Sequence, residues 1–271
     1  MLLEERYRQW ADELVDLSGR NDLISFRQTK TSTLLPSEEA IERLFKEESL
    51  LLSDLIDLET PEDRKAASGV IKDAIELSEQ FGIEVLKLVS GFASWKTDKV
   101  ASPNAPFLLY SLVIDNPGAR LAKVRLKLIS TEPEVNPVFI LHLKRRLNID
   151  IDEEAVEEAE IEGAETVQKL ITEKCPAEIG LEIKPGFSIK NMRYQKLPMV
   201  KDLISAVDSL SANTLIAALA GDNDSRSTLK RDIAETRQNA PDYVPPENEF
   251  LVLDADSSQE WAINSALKGQ N

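Results

Sequence analysis

Apolar positions recur every three or four residues over much of this chain, a spacing that predicts amphipathic helices separated by short polar breaks. The first three predicted helices cover residues 3–17, a stretch from a cap at Ser37 to about residue 57, and a stretch from Thr60 to Gly82. The third begins with a threonine cap, a proline in the first turn and two acids at the positive end of the helix dipole. The first third of the chain is therefore expected to be helical.

The pattern shortens in the middle of the chain and there favours strands. Residues 83–89 are β-like, and residues 107–114 form a near-continuous apolar run, which is typical of a strand covered on both faces. An Asn-Pro-Gly turn at 116–118 follows, and residues 121–129 return with strict alternation of apolar and basic positions. This arrangement predicts an antiparallel hairpin with one apolar and one basic face.

Helical spacing dominates again after the hairpin. Residues 136–147 and the acidic stretch 152–174 are each predicted as one helix, residues 181–183 and 187–189 as short strands, and residues 191–219 as two or three helices. The predicted fold class is α+β: a mostly helical module with a small antiparallel β-sheet.

The predicted domain boundaries follow from the last fifty residues. Residues 1–220 form the module, and residues 221–249 are polar and proline-rich, which predicts a linker or mobile loop. Residues 250–271 predict an apolar strand, a turn and a helix that begins with a capping box of Ser257 and Glu260.

Charge is distributed unevenly along the sequence. The net charge of −16 repels nucleic acid on average. However, residues 152–162 carry seven carboxylates and no cation, whereas residues 116–131 carry four cations and no carboxylate, so a basic patch on an acidic body is possible. No apolar run approaches the roughly 20 residues that span a bilayer, so no membrane contact is expected. The charged start and the single Cys175 predict a cytoplasmic protein.

The polar loop of residues 14–33 contains the first candidate binding residues. Arg20, Arg27 and Lys30 could hold phosphates through charge-assisted hydrogen bonds. In the alternative interpretation, Arg20 and Asn21 only fix their own loop by bonding backbone carbonyls. The sequence leaves both interpretations open.

A second candidate set lies on the basic face of the hairpin. Lys123, Arg125 and Lys127 alternate along the strand, so they would lie roughly 6.6 Å apart, close to the phosphate repeat of an extended single strand of nucleic acid. Basic side chains on the solvent face of a strand also prevent pairing between sheet edges. The residues alone favour this solubilising role over nucleic-acid binding.

Catalytic chemistry finds no support in the residues. His142 is the only histidine, which leaves no zinc site and no histidine-based triad, and no G-x-x-x-x-G-K-[ST] loop occurs in the 271 residues. We therefore expect no bound cofactor or metal and no activity from this chain alone. Gln259 could read adenine, because one amide can both donate to and accept from a base, although a surface glutamine in a first helical turn fits the same spacing.

Six blocks of sequence, taken in order, resemble one known family. They are LVDLSGRNDLISFRQTKTSTL, LKLVSGFASWK, APFLLYSLVI, TEPEVNPVFILHLKRRLNIDI, GFSIKNMRYQKL and LVLDADSSQEWAI. Together they are similar to the domain of unknown function 4011, whose opening signature usually reads like LLDLSLRNRLLNFR. The chain departs from that signature at Gly19 and Asp22, where a larger residue and an arginine are common, and the missing arginine weakens a phosphate-binding role for the loop.

The resemblance implies a parent protein that is a large bacterial superfamily 1 helicase, often with a Vsr-like or restriction-type nuclease domain, in defence against phage and foreign DNA. Residues 250–271 would then be the first strand and helix of a RecA-like ATPase core, which continues beyond them into its phosphate-binding loop. Gln259 would contact the adenine of ATP only with that core present, and ATP and Mg belong to the parent protein.

The expected function is accordingly that of a non-catalytic N-terminal module that positions DNA or partner domains for the motor. Its expected partners are DNA, the rest of the helicase core and other defence-system proteins. The alternative is a free-standing acidic protein-interaction adaptor with no nucleotide chemistry, which would fit the acidic composition and the lack of a catalytic cluster.

Overall fold

The computed structural model describes residues 3–46, 48–97, 103–194 and 196–236, together with residues 256, 259, 262, 263 and 266. The fold is α+β, as predicted, with about 51% helix and one curled antiparallel sheet. The chain divides into two compact units: Val15–Leu197, and a second made of Met1–Leu14 with Pro198–Asn271. No helix among the described residues is long and apolar enough to cross a membrane.

The unit Val15–Leu197 contains six helices and the whole sheet that the structure describes. Its helices are α2 (Glu38–Phe45), α3 (Leu52–Leu55), α4 (Pro61–Phe81), α5 (Pro137–Arg146), α6 (Glu153–Glu162) and α7 (Ala164–Lys174). The other unit consists of helices α1 (Leu3–Leu14), α8 (Leu197–Ser205), α9 (Val207–Ala212), α10 (Thr214–Ala220) and α11 (Asn223–Thr236).

The sheet has six strands in the order β1-β4-β3-β2-β6, and β5 also pairs with β3. The strands are β1 (Leu50–Leu51), β2 (Leu86–Ser94), β3 (Ala105–Ile114), β4 (Arg125–Leu128), β5 (Glu134–Val135) and β6 (Glu182–Asn191). The predicted hairpin is confirmed, since β3 pairs with β4 and the apolar positions of the returning strand are buried. Helix α4 lies against β6 and α5 lies against β3.

The predicted helix starts at Ser37, Thr60 and Asn136 are confirmed by side-chain caps. Asn136 is fully buried, and its Oδ1 accepts from the first N–H groups of α5. Its Nδ2 donates to the carbonyls of Leu23 at 2.6 Å and Pro106 at 2.8 Å. One asparagine thus caps a helix and also ties the polar loop of residues 14–33 to the central sheet.

Several of the predicted elements differ from those in the structure. The helix predicted from Ser37 to about residue 57 ends at Phe45, and β1 and α3 follow it. The acidic helix predicted over 152–174 is two helices, because Gly163 adopts φ 114° between α6 and α7. The strands predicted over 181–183 and 187–189 form one continuous strand, β6.

The predicted linker is partly wrong, because residues 223–236 form helix α11. Asp222 begins this helix by accepting from the N–H of Ser225 at 2.8 Å, and Arg226 Nε donates to the carbonyl of Ala218 at 2.9 Å. Residues 237–249 lie outside the described residues. Most of the segment 250–271 does as well, so its assignment to a RecA-like core stays a prediction.

Candidate functional site

A polar cleft of about 410 Å³ lies in the unit Val15–Leu197. It is lined by residues 21–23 and 31–32 of the polar loop, residues 69, 70 and 73 of α4 and residues 190–193 at the end of β6. Two sequence blocks that are far apart in the chain, the loop and the GFSIKNMRYQKL segment, thus form opposite parts of one site.

The polar loop is held in shape by its own side chains. Asn21 Nδ2 donates to the carbonyl of Asp16 at 2.7 Å, and Asn21 Oδ1 accepts from the N–H of Leu23 at 2.9 Å. Arg27 Nη2 donates to the carbonyl of Arg20 at 2.8 Å. The self-pinning interpretation therefore holds for Asn21, but the guanidinium that takes part belongs to Arg27 rather than to Arg20.

Lys190 places a buried cation beside this loop. Its side chain is 8% exposed, and its Nζ donates to Asp22 Oδ2 at 2.6 Å and to the carbonyl of Arg27 at 3.2 Å. The ammonium also lies 5.1 Å from the centroid of the Phe26 ring, a cation–π distance. Asp22 contacts the guanidinium of Arg27 as well, at 3.5 Å. Asp22 is therefore the carboxylate that pairs with the buried ammonium of Lys190.

A second buried lysine lies directly across the strand pair from the first. Lys87 of β2 is opposite Lys190 of β6, so both side chains leave the same face of the sheet. Lys87 Nζ donates to Ser111 Oγ at 2.6 Å and lies 3.5 Å from Glu134 Oε2. Like charges on directly opposed residues repel, so each lysine needs its own carboxylate, Asp22 on one side and Glu134 on the other.

The carboxylate of Glu134 lies in a half-buried cluster of polar side chains that also contains Tyr194 and Glu160. The hydroxyl of Tyr194 donates to Glu134 Oε2 at 2.5 Å, and burial, followed by this bond, raises the pKa of Tyr194 well above its usual value. Burial also raises the pKa of Glu160. The hydrogen bond that its Oε1 accepts from the N–H of Val135, at 2.7 Å, lowers this pKa, and the negative charge of Glu134 raises it. The cluster is a set of matched donors and acceptors beside the lysine pair.

Three exposed cations border the cleft or its loop. Arg193 lines the cleft, and Arg20 and Lys30 directly precede two of its lining residues, Asn21 and Thr31. None of the three cationic side chains has a hydrogen bond or ion pair within the described part of the chain. They are the side chains of this site whose charge is available to an anionic ligand.

The predicted basic row on the hairpin is not formed as a row. Lys123 lies in a short 3-10 helix (Leu121–Lys123) before the strand, and only Arg125 and Lys127 belong to β4. Arg125 Nη1 donates to the carbonyl of Ser49 at 2.7 Å. Because β4 pairs with β1 on one side and β3 on the other, protection of a sheet edge does not explain these residues either.

Gln259 takes part in a cap of its own. Its N–H donates to Asp256 Oδ1 at 2.9 Å, and its Oε1 accepts from the N–H of Asp256 at 3.2 Å, which is a reciprocal capping box. The predicted box partners, Ser257 and Glu260, lie outside the described residues. The amide oxygen of Gln259 is used in this local cap, the residue itself is exposed, and adenine recognition stays a prediction.

The residues that the sequence analysis missed are Lys190, Asn191 and Arg193. Their only sequence signal is a lysine at an inward position of an alternating strand, where an apolar residue is usual. No group of three or more acidic, histidine or cysteine side chains in the described ranges could hold a metal ion. Comparisons with known proteins found no matching family model, no similar curated protein and no similar solved structure.

Proposed function

We propose that this chain is a non-catalytic module of a superfamily 1 ATP-dependent DNA helicase that acts in defence against phage or foreign DNA, and that its cleft positions single-stranded DNA for the motor. The observation that supports this function is the convergence of two family-like blocks, residues 14–34 and 186–197, on one cleft bordered by available cations. Neither block alone encloses a site.

The proposed contacts divide the cations into two groups. Arg20, Lys30 and Arg193 bind backbone phosphates through charge-assisted hydrogen bonds, because their charges are available. Arg27 and Lys190 shape the site, because both contact Asp22 and Arg27 also donates to the carbonyl of Arg20. Since the net charge of −16 repels a strand elsewhere, binding depends on these few contacts.

Nucleotide chemistry is assigned to the parent protein in this proposal. ATP and Mg bind its motor core, and Gln259 contributes only when that core is present. The chain alone hydrolyses no ATP. An ATPase rate that survives purification and changes with a point variant of this chain would contradict the assignment.

The direct test is single-stranded DNA binding, measured by fluorescence anisotropy at low salt. Arg20→Glu with Arg193→Glu is expected to weaken binding about tenfold or more, because two phosphate contacts become repulsive. The matched control is Lys123→Glu with Lys127→Glu, which changes the net charge equally on the predicted strand face and is expected to weaken binding less than about twofold. Equal losses would show that binding follows net charge and not the cleft.

The adaptor remains a second candidate, and helix α6 favours it. The exposed surface of helix α6 is strongly acidic, yet Ile161 on this helix is 71% exposed. An apolar side chain within a charged surface suits contact with a basic, partly apolar protein partner. Under this function the chain binds no single-stranded DNA at low salt, and Ile161→Glu abolishes binding of its protein partner.

A further inference from the structure

On the outer edge of β6, the residue that lines the cleft is Asn191, and no further strand of the described sheet pairs with it on that side. Leu34 and Ile189 exchange backbone hydrogen bonds of 2.8 Å on the outer side, whereas the N–H of Met192 donates inward to the carbonyl of Val85 at 2.8 Å. Because hydrogen-bonding direction alternates along a strand, the N–H and C=O of Asn191 point outward, as those of Ile189 do.

The chain does not continue the pairing on that side. In the register set by Leu34 and Ile189, the residue opposite Asn191 would be Ser32. The N–H of Ser32 donates instead to the carbonyl of Thr29, at 3.4 Å, and the loop turns away from the strand. Asn191 therefore presents one donor and one acceptor, side by side, without a backbone partner among the described residues.

The lining of the cleft includes a carboxylate that would repel a phosphate. Asp73 has no ion pair in the ranges that the structure describes, whereas Asp22 is paired with Lys190. Arg193 also lines the cleft, and its side chain is exposed. A group that enters the cleft is therefore expected to be uncharged, while an attached phosphate stays outside with the cations.

The walls suit a flat group with hydrogen-bonding atoms at its edge. Leu23, Val70 and Met192 supply apolar surface, and Gly69 leaves space, since a Cβ placed there would meet nothing within 4 Å. Asn191 Nδ2 donates to the carbonyl of Val70 at 2.8 Å, while its buried Oδ1 has no hydrogen-bond partner among the residues that the structure describes. The volume of about 410 Å³ is within the roughly 300–1,000 Å³ of small-molecule sites.

Two adjacent outward groups are too few for an added peptide strand, which needs a longer open edge. Leu34 covers the edge at Ile189, and Pro185 further along β6 has no N–H to offer. One donor beside one acceptor matches the hydrogen-bonding edge of a nucleobase. The geometry thus favours a single planar base over a strand.

We infer that the cleft receives one unpaired nucleobase of the bound strand, whose edge pairs with the backbone of Asn191 while its flanking phosphates lie against Arg193 and the loop cations. This inference rests on the proposed function and adds the part of the nucleic acid that the cleft reads. Arg193 and Asn191 then have distinct roles. Arg193 holds the phosphate backbone of the nucleic acid, and Asn191 distinguishes a nucleotide that carries a base from one that lacks it.

The experiment compares two labelled single strands of about 12 nucleotides with the same number of phosphates, oligodeoxythymidine and an abasic oligomer, in anisotropy titrations of the full chain. The wild-type chain is expected to bind the thymidine strand about tenfold more tightly than the abasic strand. Gly69→Leu fills the cleft from a helix that tolerates leucine, so it is expected to lose this preference while keeping the affinity for the abasic strand. Ser68→Leu adds the same side chain at a neighbouring position that does not line the cleft, and is expected to behave as wild type.

The outcomes separate the inference from the function on which it rests. Equal wild-type affinity for both strands overturns base recognition but leaves phosphate binding and the proposed function in place, and this comparison needs no variant. A preference that Gly69→Leu retains, or that Ser68→Leu also loses, overturns the assignment to this cleft. Failure to bind either strand overturns the proposed function as well.

Discussion

Asp22 is the carboxylate on which the geometry of the cleft depends most. Lys190 is 8% exposed in its side chain, whereas Asp22 is 40% exposed, so the pair is buried on one side only. Asp22→Asn removes the charge that neutralises a buried ammonium. We expect the variant to lose about 1–3 kcal/mol of unfolding free energy, below the usual value for a fully buried pair because solvent screens Asp22. Urea unfolding monitored by circular dichroism measures the loss.

The matched control is Asp150→Asn, which breaks the 2.7 Å ion pair between Asp150 and Lys144. Both side chains are mostly exposed, Lys144 at 56% and Asp150 at 75%, so a loss below about 0.5 kcal/mol is expected. Adding Lys190→Met to Asp22→Asn should restore part of the stability, because no unpaired buried charge remains. Equal losses for the two single variants would contradict a structural role for the Lys190 pair.

Glu160 makes stability depend on pH in the opposite sense to most carboxylates. Burial, and to a smaller extent the charge of Glu134, raise the pKa of Glu160 above its usual 4.5. As pH rises past the usual pKa, Glu160 of the unfolded chain loses its proton before Glu160 of the folded chain does. Folding therefore becomes less favourable with rising pH until the folded carboxyl also ionises. Glu160→Gln retains the acceptor for the N–H of Val135 but cannot ionise. It should match wild type near pH 4 and be more stable at pH 7, by less than about 1 kcal/mol because Glu160 is partly exposed.

The measurement is the difference in urea midpoint between this variant and wild type, followed from about pH 4 to pH 7. Glu158→Gln, an exposed position on the same helix, provides the comparison and is expected to change the midpoint little across the range. A difference for Glu160→Gln that shrinks as pH rises would reverse the predicted sign and contradict the assignment.

Helix α4 has one glycine inside it and one at its C-cap, and their substitution by alanine should have opposite effects. Gly82 ends the helix with φ 65°, where an added Cβ is strained, so Gly82→Ala is expected to lose roughly 1–2 kcal/mol. Gly69 lies inside the helix with open space at its Cβ position, so Gly69→Ala is expected to gain about 0.5–1 kcal/mol. Thermal or urea unfolding of the two variants gives the comparison. Shifts in the same direction would show that the helix end is not fixed at Gly82.

The sequence predicted correctly those elements that depend on residues close together in the chain. The caps at Ser37, Thr60 and Asn136 and the alternation in β4 depend on neighbouring residues, and the structure confirms them. The break at Gly163 was not predicted, because helical spacing continues on both sides and only the backbone conformation ends the first helix. Helix α11 was missed because its sequence is polar, although Asp222 is a good cap for it.

The candidate site was predictable only in its loop. Arg20, Arg27 and Lys30 are recognisable from a polar stretch between two apolar ones, but their different roles depend on Asp22 and on the distant Lys190. The hydrogen bond between Asp22 and Lys190 joins residues 168 positions apart, and no periodicity carries that information. Pairing across a sheet, and hence the outward backbone of Asn191, follows from the register and not from composition.

The division of the whole chain into two units leads to the last prediction. The unit Val15–Leu197 is continuous in sequence and contains the complete described sheet, helices α2–α7 and every residue that lines the cleft, whereas the other unit combines both ends of the chain. A protein of residues 15–197 should therefore fold cooperatively, because its core is formed from its own elements. It should also bind single-stranded DNA within about twofold of the full chain, because the phosphate contacts are retained. Coincident urea transitions by near- and far-ultraviolet circular dichroism, with anisotropy titration of the same preparation, measure both properties. A fragment without near-ultraviolet signal would show that the terminal segments complete this core, and a folded fragment without DNA affinity would place the interface outside the cleft.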